Sequence, residues 1–179
     1  ANLSATISND CSTTKTQTEV SIMIILDRSQ SMRDDVNGTI RFKYAQQALA
    51  AFVNKIRFTG ETRVMLTTFS GDFEVSTPWT NNPRVILDTL NKMEPQSSTD
   101  YRKPFEDPGN NIYELFKQRP PSLPRYVFFL TDGHPNPVIE DENKFITQNI
   151  PILRSSGIRF YSVTLMERNT HATIAAFAS

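Results

Sequence analysis

Five stretches of the chain carry patterns of hydrophobic residues that predict β-strands. In the first, residues 20–26, apolar side chains occupy both odd and even positions. A strand that is buried on both faces has this pattern, as in a parallel sheet covered by helices. The fourth stretch, residues 125–133, also has an apolar run that ends in an acidic residue. The other predicted strands are residues 62–70, a short partner at 72–77, and residues 158–166.

Between these strands the apolar residues recur at helical spacing. In the segment 39–56, Ala45, Leu49 and Phe52 follow one another at intervals of four and three residues, which indicates one face of an α-helix. Pro151 should kink or interrupt its own helix, because proline lacks the amide that an inner helical turn needs. The further predicted helices are residues 82–93, 110–118 and 142–157, and residues 171–179 begin another.

The alternation of strands and helices predicts an α/β fold with a doubly wound, mostly parallel central sheet. Right-handed crossovers then place helices on both faces of this sheet. With the strands numbered along the chain, we expect the order 3-2-1-4-5, and we expect the last strand and helix of the complete fold to be missing. Residues 1–18 are rich in Ser, Thr and Asn without periodicity, so we interpret them as an N-terminal extension or linker before one domain at 19–179.

The amino-acid composition excludes some classes of binding partner for this chain. The chain has 19 basic and 19 acidic residues, so its formal net charge is zero. We therefore expect no nucleic-acid partner, since such proteins present a basic surface. No run of about 18 apolar residues occurs, so we expect no membrane insertion within this chain. The single cysteine, Cys11, cannot form an internal disulfide or a cysteine metal cluster. It is either an unimportant thiol or bonded to a cysteine outside this sequence.

Polar side chains follow the first and fourth predicted strands, which the expected order makes neighbours. Asp27, Ser29 and Ser31 come directly after the first strand, and Thr131 and Asp132 end the fourth. Ligands of open α/β sheets bind beyond the carboxyl ends of the strands, so both aspartates would face one crevice. Carboxylate and hydroxyl oxygens suit Mg²⁺, Mn²⁺ or Ca²⁺. Asp and Ser are also common in turns, so on these residues alone a turn and a metal site are both open.

Three motifs together resemble the von Willebrand factor A (VWA) domain and its metal-ion-dependent adhesion site (MIDAS). They are DRSQSM after an apolar strand, STDY in a mid-chain loop, and FFLTDG later in the chain. The resemblance covers roughly residues 19–178 in motif order and spacing, and it implies the Rossmann-like VWA fold for residues 19–179. The chain departs from the family before Thr99, where it has Ser97 and Ser98 and many members have glycines.

The resemblance also implies a set of metal ligands. Ser29 and Ser31 would coordinate a divalent cation directly, and Thr99 would join them from a separate loop. Asp27 and Asp132 would act through water. The cation would be Mg²⁺, with Mn²⁺ or Ca²⁺ as alternatives. The residues expected at the rim of the site or behind its ligands are Asp100, Gly133, His134 and Arg28.

Such a metal site implies that the domain binds a partner molecule. A cation held by neutral hydroxyls and water-separated carboxylates keeps much of its positive charge, and an Asp or Glu of a protein or peptide partner can replace its exchangeable water. We therefore expect a metal-dependent adhesion or protein-binding module of a secreted or cell-surface protein. The alternative is a cytoplasmic assembly subunit of an ATPase-coupled or chelatase-like complex, in which the site holds a partner subunit. A third interpretation is a VWA-like domain whose site is retained but idle.

Enzymatic activity is not expected. The motif lacks a base for a nucleophile, and the chain has neither a G-x-S-x-G elbow nor a Gly-rich phosphate loop. A phosphotransferase of the D-x-D-x-T type would need an acid where Ser29 stands. His134 follows the fourth strand closely, but we interpret it as a residue of the rim. Two N-x-S/T tripeptides, at Asn2 and Asn37, are consistent with a secreted protein.

Overall fold

The computed structural model describes residues 18–36, 38–96, 98–132 and 142–165. Residues 1–17 of the predicted extension 1–18, and the helix predicted from residue 171, lie outside these ranges. The strands are β1 (Ser21–Asp27), β2 (Asp35–Val36), β3 (Thr39–Ile40), β4 (Arg63–Phe69), β5 (Phe73–Thr80), β6 (Arg125–Thr131) and β7 (Ile158–Thr164). The helices are α1 (Arg41–Lys55), α2 (Pro83–Asn91), α3 (Lys103–Glu106), α4 (Ile112–Phe116) and α5 (Glu142–Ser155), and a 3₁₀ turn spans Gln30–Arg33.

Five strands form one mostly parallel sheet in the order β5-β4-β1-β6-β7. β1 pairs in parallel with β4 on one side and with β6 on the other, and β6 pairs in parallel with β7. β5 runs antiparallel to β4 at one edge. Numbered along the chain, this is the predicted order 3-2-1-4-5, which confirms the doubly wound α/β fold. The short strands β2 and β3 form a separate ribbon just before α1.

The central strand β1 is buried along its whole length because both faces of the sheet are covered. Met23 and Ile25 belong to a core cluster on the face that α3, α4 and α5 cover. Ile22, Ile24 and Leu26 belong to a second cluster, on the face that α1 and α2 cover. The odd and even positions of β1 thus pack into two different core clusters, which explains why its sequence is apolar without alternation. None of the helices among the described residues is long and apolar enough to cross a membrane.

Three aromatic rings pack together beneath the carboxyl edge of the sheet. Phe69, the last residue of β4, stacks on Phe129 of β6 with ring centroids 4.8 Å apart. Tyr101, from the loop before α3, meets both rings edge-on, at 5.5 Å and 5.7 Å. Because all three side chains are at most 2% exposed, this aromatic cluster gives the loops above it a well-packed base.

The helix that contains Pro151 is not interrupted. α5 runs continuously from Glu142 to Ser155 with the proline inside it, so the expected interruption was wrong. Phe145 and Leu153 lie on either side of Pro151 along the helix, and both are buried in the core. This packing holds both halves of the helix against the sheet and outweighs the hydrogen bond that proline cannot make, since most helical stability in proteins comes from tertiary packing.

Pro151→Ala is expected to raise the free energy of unfolding by about 1–3 kcal/mol, because alanine restores the amide donor and removes the clash of the ring with the preceding turn. Pro151 is exposed, so the change opens no cavity. Urea unfolding followed by the fluorescence of Trp79 measures the effect. The control is Gln148→Ala at another exposed position of α5, which should change stability by less than about 0.5 kcal/mol. A less stable Pro151→Ala protein would contradict this account of α5.

Candidate metal site

The turn after β1 brings two hydroxyl groups together. Asp27 is fully buried, and its Oδ1 accepts a hydrogen bond from the backbone N–H of Ser29 at 2.8 Å. This bond folds the chain back just after the strand. The hydroxyl oxygens of Ser29 and Ser31 then lie 3.0 Å apart. The D-x-S-x-S segment therefore directs two neutral oxygen donors to one point beside a buried carboxylate.

The second predicted acid comes from the neighbouring strand. The register pairs Leu26 with Leu130, so the next residues of the two strands, Asp27 and Thr131, lie side by side. The Thr131 hydroxyl donates to Asp27 Oδ2 at 2.6 Å. Asp132 follows directly and is only 2% exposed. As the sequence predicts, the two aspartates meet at the carboxyl edge of adjacent parallel strands.

The loop of Thr99 is tied to this edge through its backbone. Thr99 is 5% exposed, and the N–H of the next residue, Asp100, donates to the carbonyl of Ser70 at 2.8 Å. Earlier in the same loop, the N–H of Gln96 donates to the carbonyl of Arg28. The loop is therefore fixed just beyond the ends of β1 and β4, which places Thr99 at the same carboxyl edge of the sheet as the serines. Ser97 lies outside the described residues.

Two of the predicted rim residues have partners within the protein. The carboxylate of Asp100 accepts hydrogen bonds from Nε and Nη2 of Arg102 at 2.9 Å and 2.8 Å. Burial alone would raise the pKa of Asp100, but the hydrogen bonds and charge of Arg102 hold that pKa below its usual value. Arg28 donates from Nε to the carbonyl of Glu94 at 2.9 Å. Gly133 and His134, also predicted at the rim, lie outside the described residues.

Burial of Asp27 makes its charge costly. Desolvation raises the pKa of Asp27 from 3.8 to about 6, although hydrogen bonds from Thr131 and Ser29 act in the opposite direction. The nearby charge of Asp132 adds a smaller upward shift of that pKa. A cation beside these carboxylates would favour their ionised forms. The electrostatics of this edge thus suit a positively charged ligand.

Two residues that contact the site are not among the predicted metal ligands. Arg41, the first residue of α1, donates from Nη1 to Asp132 Oδ2 at 2.7 Å and to the carbonyl of Ser31 at 3.0 Å. The hydroxyl of Tyr101 lies 2.6 Å from that of Thr131. A search confined to residues at strand ends misses Arg41 because it lies in a helix. Tyr101 belongs to the STDY motif and was expected on the rim of the crevice, but the structure buries it.

The chemistry of the donors fits a hard cation. The side chains at this edge offer hydroxyl and carboxylate oxygens, the ligands that Mg²⁺, Mn²⁺ and Ca²⁺ prefer. Within residues 18–36, 38–96, 98–132 and 142–165, no group of three or more His, Cys, Asp or Glu side chains could hold a metal ion. In the described part of the chain, a metal site at this edge would therefore rest on serine and threonine hydroxyls beside two acids.

A polar groove of about 510 Å³ lies between the turn after β1, the turn after β4 and the loop that precedes Thr99. One wall comes from the 3₁₀ turn that contains Ser31, and another from the turn between β4 and β5. Arg33 in the first wall is held by a hydrogen bond of 2.9 Å from Nη2 to the carbonyl of Pro95. The residues that line the groove are Gln30, Arg33, Ser70, Gly71, Asp72, Pro95 and Gln96.

Comparison with solved structures shows the same fold in several proteins. The VWA domain of SpRpn10 is 15% identical, with a TM-score of 0.70 over 89% of this chain and 80% of that chain. Proximal thread matrix protein 1 from the mussel byssus, solved with a zinc-occupied MIDAS motif, is 14% identical, with a TM-score of 0.71 over 90% of this chain and 42% of that chain. BatB from Bacteroides thetaiotaomicron is 19% identical, with a TM-score of 0.56 over 81% of this chain and 66% of that chain.

At these identities the solved structures establish the fold alone, and this chain spans less than half of the mussel protein. No curated protein matches the sequence. The family model described as von Willebrand factor type A domain matches residues 22–134, which is more than half of the chain. The matched segment contains all of β1 except its first residue, the serine pair, the Thr99 loop and Asp132. The sequence match and the sheet order agree, and the chain therefore belongs to the von Willebrand factor type A domain family.

Proposed function

We propose that this VWA domain is a metal-dependent protein-binding module, in which a cation at the carboxyl edge of the sheet binds an Asp or Glu of a partner. The observation that carries the proposal is the pair of hydroxyls of Ser29 and Ser31, 3.0 Å apart, beside the buried carboxylates of Asp27 and Asp132. A bound Mg²⁺, Mn²⁺ or Ca²⁺ ion would supply the positive charge that a carboxylate ligand requires.

Each residue has a distinct part in this proposal. Ser29, Ser31 and Thr99 provide hydroxyl oxygens that add no negative charge. Asp27 is engaged by the N–H of Ser29 and the hydroxyl of Thr131, so its oxygens are directed by the protein and would reach the cation through water. Asp132, which follows the neighbouring strand β6, provides a second negative charge that offsets part of the charge of the cation. The site can therefore hold a cation without fully neutralising it, which leaves an attraction for an acidic partner.

The groove formed by the same loops as the site supports a peptide or loop as the partner. It is lined by polar side chains and backbone, including Gln30, Arg33 and Gln96, which can bind the polar backbone of an extended segment. An acidic residue of that segment would lie at the cation while its neighbours occupy the groove. A lone carboxylate contact carries little specificity, and a flanking groove of this kind would provide it.

The proposal includes a biological setting for the domain. A role in adhesion on a secreted or cell-surface protein rests on the sequence resemblance. The expected lack of enzymatic activity rests on the absence of a base, a nucleophile elbow and a phosphate loop from the sequence. The alternative role, as an intracellular assembly subunit, uses the same metal site and differs in its partner. Both roles share the chemistry that the following experiments test.

Binding of acidic peptides should depend on Mg²⁺. The domain is screened against peptides with one central Asp or Glu and against matched peptides with Asn or Gln. We expect only acidic peptides to bind, and we expect EDTA to abolish their binding because the cation is the bridge. Ser29→Ala, Thr99→Ala and Asp132→Asn should each weaken binding by about tenfold or more.

The matched control for these variants is Ser76→Ala. The Ser76 hydroxyl lies 3.2 Å from that of Thr68, on the antiparallel edge of the sheet, and its loss should leave peptide binding unchanged. Binding that persists in EDTA, or that is equal for Asn and Gln peptides, would contradict the proposed function.

Asp27→Asn should stabilise the metal-free domain while removing its response to metal. Because the folded-state pKa of Asp27 lies near 6 and its ordinary value is 3.8, ionisation costs stability as the pH rises from about 4 to 6, and the full cost persists above pH 6. In EDTA at pH 7 the variant should be more stable by about 1–3 kcal/mol. Urea unfolding at pH 4.5 and pH 7, with EDTA and with Mg²⁺, measures both effects.

The control for this experiment is Asp88→Asn, at an exposed position of α2, which should change neither the pH dependence nor the response to Mg²⁺. An Asp27→Asn protein that is less stable than the wild type in EDTA at pH 7 would show that the hydrogen bonds of the carboxylate outweigh its desolvation.

A further inference from the structure

Arg41 forms a buried ion pair with one of the proposed metal-site acids. Its Nη1 donates to Asp132 Oδ2 at 2.7 Å, and the side chains of Arg41 and Asp132 are only 14% and 3% exposed. The same nitrogen donates to the carbonyl of Ser31 at 3.0 Å. The guanidinium therefore lies between the two segments that carry the proposed ligands, which are far apart in the sequence.

The backbone and surroundings of Arg41 keep it in this place. Its N–H donates to the carbonyl of Asp34 at 2.9 Å, so the start of α1 is fixed to the turn that follows the serines. The carboxylate of Asp34 lies 3.8 Å from Arg41 Nη1 but is largely exposed, which makes it the weaker partner. Nε of Arg41 is buried and has no acceptor within the described part of the chain. The main charge partner of Arg41 is thus Asp132.

The charges of these groups define what the site can bind. Two carboxylates, Asp27 and Asp132, and one guanidinium leave one net negative charge when all are ionised. A divalent cation would change that to one net positive charge. Without Arg41 the loaded site would be neutral. Arg41 also occupies Oδ2 of Asp132, so that oxygen is directed away from a cation.

We propose that Arg41 is a built-in counter-ion that weakens the binding of the metal alone and leaves the loaded site positively charged for an acidic partner. The inference rests on the proposed function, because it concerns the same cation. Arg41 acts by its charge and through Asp132, and it is not itself a ligand. A purely structural role for Arg41 makes the opposite prediction, since loss of a residue that only holds the loops in place would weaken metal binding.

The test is calorimetric titration of the domain with Mg²⁺ and with Mn²⁺. Arg41→Gln should bind each ion about tenfold more tightly, because a unit positive charge near a divalent cation is removed from a partly buried site. In EDTA the same variant should unfold at a lower temperature, since Asp132 is left buried without its partner. Addition of Mn²⁺ should then raise its unfolding temperature by more than it does for the wild type.

Two further variants separate charge from position. Arg41→Lys keeps the positive charge and should bind Mg²⁺ within about threefold of the wild type. Arg119→Gln removes another largely buried arginine, which donates a hydrogen bond to Ser21 at the opposite end of β1. It should leave the affinity for both ions unchanged, although it changes the net charge by the same amount.

A double variant keeps the test decisive if Arg41→Gln alone does not fold. Asp132→Asn with Arg41→Gln removes both partners of the ion pair, which proteins tolerate better than the loss of one. We expect Asp132→Asn alone to bind Mg²⁺ most weakly and the added Arg41→Gln to recover about tenfold in affinity.

The outcomes also separate this inference from the proposed function. Unchanged or weaker metal binding by Arg41→Gln, or no recovery in the double variant, would overturn the counter-ion role and leave the metal site standing. A wild-type domain that binds neither Mg²⁺ nor Mn²⁺ would overturn the metal site and this inference together.

Discussion

Strand β1 ends inside the protein, and its last residue, Asp27, has a carboxylate that water does not reach. A buried charge is costly unless hydrogen bonds or an opposite charge compensate it, and burial raises the pKa of Asp27 to about 6. The Ser29 amide and the Thr131 hydroxyl each donate to this carboxylate. The need to satisfy Asp27 thus shapes the turn that follows β1 and fixes its relation to β6.

The positions of the hydroxyl donors follow from packing below them. Phe69, Phe129 and Tyr101 form an aromatic cluster under the carboxyl edge of the sheet. The hydroxyl of Tyr101 reaches that of Thr131 at 2.6 Å, which connects the loop of Thr99 to the carboxylate of Asp27. Groups that are held in place before a ligand arrives lose little freedom on binding it. The aromatic cluster therefore favours a site that is already formed before the ligand binds.

Charge around the site is largely balanced within the protein. Arg102 donates hydrogen bonds to the carboxylate of Asp100, and Arg41 donates one to Oδ2 of Asp132. These pairs leave Asp27 as the acid whose partners are neutral hydrogen-bond donors. In the proposed function, a divalent cation would then be the dominant charge at this edge, and its excess of positive charge would be available to a partner's carboxylate.

The sequence by itself determined the order of strands and helices, the doubly wound fold, and the arrival of Asp27, Ser29, Ser31 and Asp132 at one edge. These features follow from local periodicity and from a general rule about the ends of parallel strands. The tertiary structure alone decided that Arg41 pairs with Asp132, 91 residues away. It also decided that α5 continues through Pro151. Each of these outcomes depends on which side chains share a buried space, and no local pattern encodes that.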